Sequence, residues 1–486
     1  MKLLKTLFLL SITIIIQSCS NNKSESYLQK SVKTQVTILQ EKSIKITYKE
    51  KLNSLRHSFE PWQKSVTNLT GSIWNSQAVF SKQDAQTSRG KEYISKTVFS
   101  NNELLFLDFG DTKQATITKK MVEKYLLKTI RYTPIQILTY FNQHRIPQTE
   151  KENQKYAIYQ TTIANQIVTI YIDKEDYLVK KATILSDDER FGDVLSTIHF
   201  NEYIIIENVP HPKEVLIDKI NGKLHDNVAI ETITIVEKPL NLLEKSSDYK
   251  IVEETPVKTN FNVQKYAKNI HFINLKHTED RVLVVEFKDF LVVAETPLTS
   301  ENGELIITEA KKIAPNKPIK YFVAGHYHPH YLGGVRAFIH KGAQIICSNV
   351  TKDYIGYIAN AKRTLHPDSL HIEPKPLLIK EIKDKLSISD GDFEMKIFFI
   401  GEKSEHTKGY LIYYFPSEKL VFQDDLIWIK DDNKVRKAGR RQAGLYNAIK
   451  ELNIDVTTVI QSWPVADYGV KTIIPFKELE ASMNIK

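Results

Sequence analysis

Gly325-His326-Tyr327-His328-Pro329-His330-Tyr331-Leu332-Gly333-Gly334 constrains this chain more than any other segment. It follows the apolar run Tyr321-Phe322-Val323-Ala324, so Pro318 to Ala324 is expected as a strand that delivers histidines at its carboxyl end. On extended backbone every second side chain points the same way, so His326, His328 and His330 can converge. Convergent neutral imidazoles are what zinc and similar metals bind. Taken alone, the segment also reads as a polar turn with three solvated histidines. The paired glycines permit a close turn into a helix over Val335 to Lys341.

From about residue 263 onward strands alternate with helices. Val282 to Phe287 and Phe290 to Ala294 read as strands, and Glu301 to Ala314 as an amphipathic helix burying Leu305, Ile306, Ile307, Ala310 and Ile313. Further on stand His406-Thr407-Lys408-Gly409, the apolar run Tyr410 to Phe415, Lys419-Leu420-Val421-Phe422-Gln423-Asp424-Asp425, and Ile460-Gln461-Ser462-Trp463-Pro464. In order and spacing these landmarks resemble the metallo-β-lactamase superfamily across roughly residues 260 to 486. Its first motif, His-x-His-x-Asp-His, meets His326 and His328, with His330 at the Asp position and Tyr331 at the last His. Its His-Thr-x-Gly turn meets His406, and its bridging aspartate meets Asp425. The late histidine is missing, and Trp463 stands near its place.

The resemblance implies an α+β chain whose residues 263–486 form a four-layer αβ/βα sandwich. It also implies a first metal site of His326, His328 and His406 with Asp425 beside it, while the second site keeps only Asp425. Three histidines with one open position make a catalytic zinc set, so one zinc ion is expected; iron and manganese accept the same ligand types. A metal so held brings the pKa of bound water toward ~7 and polarises carbonyl or phosphoryl oxygens. His330 is then a general base or a further ligand, Asp425 a catalytic carboxylate, and Tyr331 a donor to an oxyanion. The expected activity is metal-dependent hydrolysis of an ester, amide or phosphoester. The alternatives are a catalytically silent binding or assembly protein, and a structural metal closed by His330. The substrate is not readable, since a fold does not fix a function.

The front of the chain addresses location. Met1-Lys2-Leu3-Leu4-Lys5 is basic, Leu7 to Ile16 is apolar but too short to span a bilayer, and Ile16-Gln17-Ser18-Cys19 follows. This resembles a bacterial lipoprotein signal, which implies cleavage after residue 18, a lipid on Cys19 and a polar tether over 19–27; an ordinary signal peptide is the other reading. The expected place is the bacterial envelope, lipid-anchored, at the outer membrane or periplasmic face. Only two cysteines occur, and Cys347, in an apolar strand, reads as a core thiol. Exported without an internal disulfide, the chain fits a bacterial envelope. The formal charge of +9 is scattered among acidic neighbours, which does not describe a nucleic-acid groove. Lys434 to Gln442 is the densest basic cluster, either a plain surface loop or an attractor of anionic substrate or headgroups.

Residues 28–245 carry alternating Val, Ile, Thr and Tyr with short polar turns, as in Ile158 to Ile163, Ile167 to Ile172 and Leu178 to Ile184, and read as a curved antiparallel sheet. Met121 to Leu126 and Pro134 to Phe141 read as helices between the strands. Phe200, Tyr203 and the Pro210-His211-Pro212 turn loosely resemble lipoprotein carrier half-barrels. That implies either a cradle for an acyl chain or a spacer and lid. His199 and His211 are expected as turn or sheet-surface residues, and 246–262 as a linker.

Overall fold

The alternating segments of the first half pair into one sheet of thirteen strands. The computed structural model describes residues 25–485 except 56, 89, 101–102, 109–111, 117, 150–152, 238–246, 433 and 466–467. The expected leader, the lipidation expected at Cys19 and the expected tether up to residue 24 lie outside these residues. Among the described residues, no helix is long and apolar enough to cross a membrane. The end of the tether is ordered as a cap: the Ser26 hydroxyl accepts from the Gln29 amide and opens the helix Tyr27–Gln35.

The sheet runs from its edge at Lys250–Val252 through Thr112–Thr116, Leu104–Asp108, Lys91–Ser100, Val79–Ser88 and Ser65–Asn75 to Ser43–Ser54. It continues through Leu224–Val236, Val209–Lys219, Gly192–Ile206, Val179–Asp188 and Gln166–Asp173 to Tyr156–Ile163. Neighbours are antiparallel except at the first edge, where Lys250–Val252 lies parallel to Thr112–Thr116. Part of the expected linker is therefore an edge strand of the first domain. The central pairing joins Ser43–Ser54 to Leu224–Val236, which are remote in sequence. The helices Lys119–Thr129 and Ile135–Gln143 bury Leu126, Leu138 and Phe141 against Ile46, Phe80, Ile170 and Val228 of the sheet. His211 departs from the surface placement expected for it. It is buried in a strand, bonded to the Pro212 carbonyl, and burial lowers its pKa to about 4. His199 remains exposed beside Asp218.

The second half builds two mixed sheets. One orders Phe261–Lys265, Ile270–Leu275, Asp280–Glu286, Leu291–Ala294, Ile319–Val323, Gln344–Ser348 and Ile379–Ile382, with its last three pairings parallel. The other orders Lys385–Ser389, Glu394–Phe399, Leu411–Phe415, Leu420–Gln423, Thr458–Gln461 and Ile473–Pro475. Strands such as Leu291–Ala294 and Leu411–Phe415 are apolar throughout because both faces are covered. Phe272, Leu283, Val285 and Ile346 of one sheet share a core with Ile397, Leu411, Tyr413 and Phe422 of the other. The helices Ser300–Ile313, Val335–His340 and Lys352–Ala359 pack on the outer side of the first of these sheets, and Arg440–Glu451 and Phe476–Met483 on that of the second. Cys347 is fully buried, and burial pushes its thiol up to about 12, so it is an inert core residue.

The paired glycines answer to space more than to backbone freedom. Gly333 and Gly334 have ordinary negative φ, but a Cβ on Gly333 would sit 2.3 Å from the Leu298 carbonyl and one on Gly334 2.3 Å from Thr296 Oγ1. The helix they start buries Arg336, which forks onto Asp368 at 2.5 and 2.8 Å and donates to the carbonyls of Ile358 and Ala359.

The two halves interlock. Phe191 and Val194 of the first sheet belong to the same apolar cluster as Tyr354, Ile355 and Ile358. The Asp193 carboxylate accepts from Thr364 N at 2.9 Å and Oγ1 at 2.6 Å, and Asp193 N–H donates to the Lys362 carbonyl at 2.7 Å. Gly192 has φ +64, and a Cβ there would lie 2.1 Å from that carbonyl, so only glycine fits.

Candidate metal centre

The strand Ile319–Val323 ends at Gly325, whose carbonyl accepts from Leu411 N at 2.8 Å. That bond ties the histidine loop to the opposite sheet, whose strand Leu420–Gln423 delivers Asp424 and Asp425. His326, His328 and His406 are buried, and their ligand atoms all lie within 4.8 Å of one another. His330 does not join them. Pro329 starts a helical turn over Pro329–Leu332, which breaks the extended backbone after His328 and swings His330 onto the buried Asp280 carboxylate at 3.0 Å. Burial works against its imidazolium, but the Asp280 contact outweighs this and holds its pKa above the usual value.

The proton positions in the trio follow from its partners. His326 Nδ1 lies 2.6 Å from Asp424 Oδ2, so the proton sits on Nδ1 and the Nε2 lone pair is free. His328 Nε2 lies 3.1 Å from the Ser58 carbonyl, which can only accept, so this ring carries its proton on Nε2 and its lone pair on Nδ1. These two lone pairs face each other across 3.0 Å. Burial, reinforced by the neighbouring imidazoles, holds His326 well below its usual pKa and lowers His328 to about 3, so neither ring is an imidazolium at neutral pH. His406 Nδ1 and Nε2 are buried without a hydrogen-bond partner, although Asp425 Oδ2 is 2.9 Å from Nε2. Opposed lone pairs beside orphaned ring nitrogens fit a cation bound by neutral imidazoles.

The support beneath the trio is a carboxyl pair. Glu295, at the end of the strand Leu291–Ala294, accepts from Gly325 N at 3.3 Å and from the Tyr413 hydroxyl. Burial raises Glu295 to about 8 and, with Glu295 beside it, pushes Asp424 well above the usual carboxyl range. The pair therefore holds at least one proton at neutral pH, which supplies the donor that Asp424 Oδ1 otherwise lacks. A Cβ on Gly325 would fall 2.3 Å from Asp424 Oδ2, so the close approach requires glycine. The Tyr410 hydroxyl accepts from Asp424 N and Asp425 N at 3.0 and 3.1 Å and fixes both aspartates.

Asp425 is mostly buried. Burial acts to raise it, but His406 and Arg441 hold the carboxyl below its usual range. Arg441, from the basic cluster, stands 3.7 Å from it. Tyr331 is buried with its ring 4.4 Å from that of His326, and burial drives its pKa well up. Trp463 N–H donates to the Asp424 carbonyl at 3.0 Å, and its ring gathers with Trp428 and Tyr468 at centroid distances of 5.9 and 6.0 Å. Sequence reasoning passed over Asp424, Glu295, Asp280 and His57. A carboxylate ending an apolar strand, as in Leu291-Val292-Val293-Ala294-Glu295, was the available signal for Glu295.

No protein-family model matches the chain, and no curated protein matches it. Among solved structures it is similar to a metallo-beta-lactamase from Pontibacter korlensis, at 17% identity over 46% of this chain and 97% of that one, with a TM-score of 0.33. It is similar to the DIM-1 metallo-beta-lactamase at 15% identity over 46% and 95%, with a TM-score of 0.34. The third is the metallo-beta-lactamase FIM-1 from Pseudomonas aeruginosa in its mono-zinc form, at 17% identity over 47% and 95%, with a TM-score of 0.33.

A cavity of about 1300 Å³ lies elsewhere, on the first sheet beside Glu50, Asn53 and Asp226. Its buried charges are paired: Asp226 meets Arg131 at 2.9 Å and Lys219 at 2.6 Å, and Glu50 also meets Arg131. That network is structural.

Proposed function

We propose that this chain is an envelope-anchored metallo-hydrolase of the metallo-β-lactamase fold, with one zinc ion held by His326, His328 and His406. The proposal includes the four-layer arrangement of the second half, which the helices outside the two facing sheets support. It also includes a half-barrel reading of the first half. The observation that carries the function is the buried trio itself, whose ligand atoms all lie within 4.8 Å of one another. Zinc bound there supplies Lewis acidity toward water and toward the carbonyl or phosphoryl oxygen of an ester, amide or phosphoester. The chain's own residues divide the remaining work. Asp425, kept ionised, orients groups that enter beside His406. His330, with Nδ1–H given to Asp280, keeps Nε2 to take or return a proton as general base and acid. Arg441 favours a negatively charged substrate. The second reading is a silent binding protein, favoured by the chain segment that lies over His328.

Elemental analysis of the full chain, purified in detergent, is expected to give about one zinc, lost in His326→Ala. Two tightly held equivalents would refute the single-metal site. A folded, zinc-supplemented protein without metal would sink the hydrolase. One zinc with no turnover across esters, amides, lactams and phosphoesters would leave the binding reading. The anchor has its own check: the intact mass should show a lipidated Cys19 as first residue, and an unprocessed or unlipidated terminus would refute it.

A further inference from the structure

Between the strands Ser43–Ser54 and Ser65–Asn75 of the first domain, residues 57–60 cross the histidine trio of the second domain. The Ser58 carbonyl accepts from His328 Nε2 and from the Tyr327 hydroxyl. The His57 ring stacks on the His328 ring, with centroids 4.7 Å apart and planes 20° apart. The Phe59 carbonyl accepts from Lys408 N at 2.9 Å, and Glu60 pairs with Lys408 Nζ at 3.1 Å. One strap thus grips both loops that carry the trio. Gln63 Oε1 braces it from within, accepting from Phe59 N at 2.7 Å and Glu60 N at 3.0 Å. Its far end is anchored by Trp62, packed among Phe191, Tyr354 and Tyr357 at 5.2, 5.1 and 4.9 Å. Trp62 has φ +64, a conformation a bulky residue keeps only when its surroundings hold it there.

The Ser58 carbonyl decides the His328 tautomer. Without it, a neutral His328 can carry its proton on Nδ1 and donate to His326 Nε2 across the same 3.0 Å, which would close the trio on itself. With it, Nδ1 presents a lone pair. Outer partners of this kind commonly govern metal affinity. We propose that the strap 57–63 of the β-rich domain completes the metal centre of the other domain. Ser58 and His57 act as positioning residues that hold His328 in its metal-binding tautomer, so metal affinity belongs to the full chain. This rests on the metal reading above.

The test is zinc affinity of the full chain, by competition with a chromophoric chelator, together with the visible spectrum of the cobalt-substituted protein. Trp62→Ala is expected to weaken zinc binding about 10–100-fold and to lower the cobalt band, with Trp62→Phe restoring both. Should Trp62→Ala fail to fold, a chain with residues 57–63 replaced by glycine and serine at equal length is used, with the same expectation. Unchanged affinity in a folded variant whose strap has become protease-sensitive would overturn the strap proposal and leave the metal site standing. A wild-type chain that binds no zinc would overturn the metal reading, and the strap with it.

Discussion

His406→Ala is expected to lose zinc and at least about 10³-fold in turnover, since Lewis acidity is worth several kcal/mol in the transition state. His406 is the one ligand delivered from the second sheet's side. Its ring nitrogens make no contact beyond that of Nε2 with Asp425 Oδ2 at 2.9 Å, so removing it takes only that ion pair from the apo fold. The variant should therefore fold and lose its response to chelators. Wild-type protein, by contrast, should lose about 4 kcal/mol of stability when a chelator strips metal from a thousandfold excess over Kd. Thermal melts with and without chelator, beside zinc content, decide this. A variant that keeps stoichiometric zinc and melts as the wild type does would refute the assignment.

Asp368→Asn is expected to cost about 3–5 kcal/mol, because it strands a guanidinium that is almost fully buried. Asp368 takes two bonds from Arg336, one from Ser300 Oγ at 3.0 Å and one from His371 N at 2.9 Å. Burial opposes its charge, but these donors outweigh it and hold the pKa at about 2, against 3.8 ordinarily. A carboxyl depressed in the folded state adds stability that is complete above the unfolded pKa and fades as pH falls toward the folded one. About 2 kcal/mol should thus disappear between pH ~5 and pH ~2, and Asp368→Asn should show less of that loss. Urea unfolding of both proteins at pH 7 and pH 3 measures the difference. Equal urea midpoints at pH 7 would refute the pair's importance.

Much of the site was readable because its carriers are local. His326 and His328 stand two apart on one loop, and His406 opens a short polar turn between apolar strands. His330 misled for a local reason too: alternation holds only while the backbone stays extended, and Pro329 ends that. Asp424 and Asp425 are adjacent; the resemblance pointed to Asp425 as the metal-side carboxylate, and no sequence signal gave Asp424 a part. The structure gives the steadying role to Asp424. His57 was not readable at all. It lies in a polar connection about 270 residues before its partner, and its meaning depends on how two domains dock. The thirteen-stranded sheet was legible as alternating strands but not as one sheet, because its central pairing joins Ser43–Ser54 to Leu224–Val236.

The crossing of residues 57–60 over the trio also fixes a ratio. Both parts come from one reading frame, so each trio is made with one covering segment at its side, whatever the level of expression. A covering segment encoded apart would leave some centres bare whenever the two products fell out of step. Here the joining of the domains sets that stoichiometry at one to one, and the contact needs no concentration-dependent encounter to form.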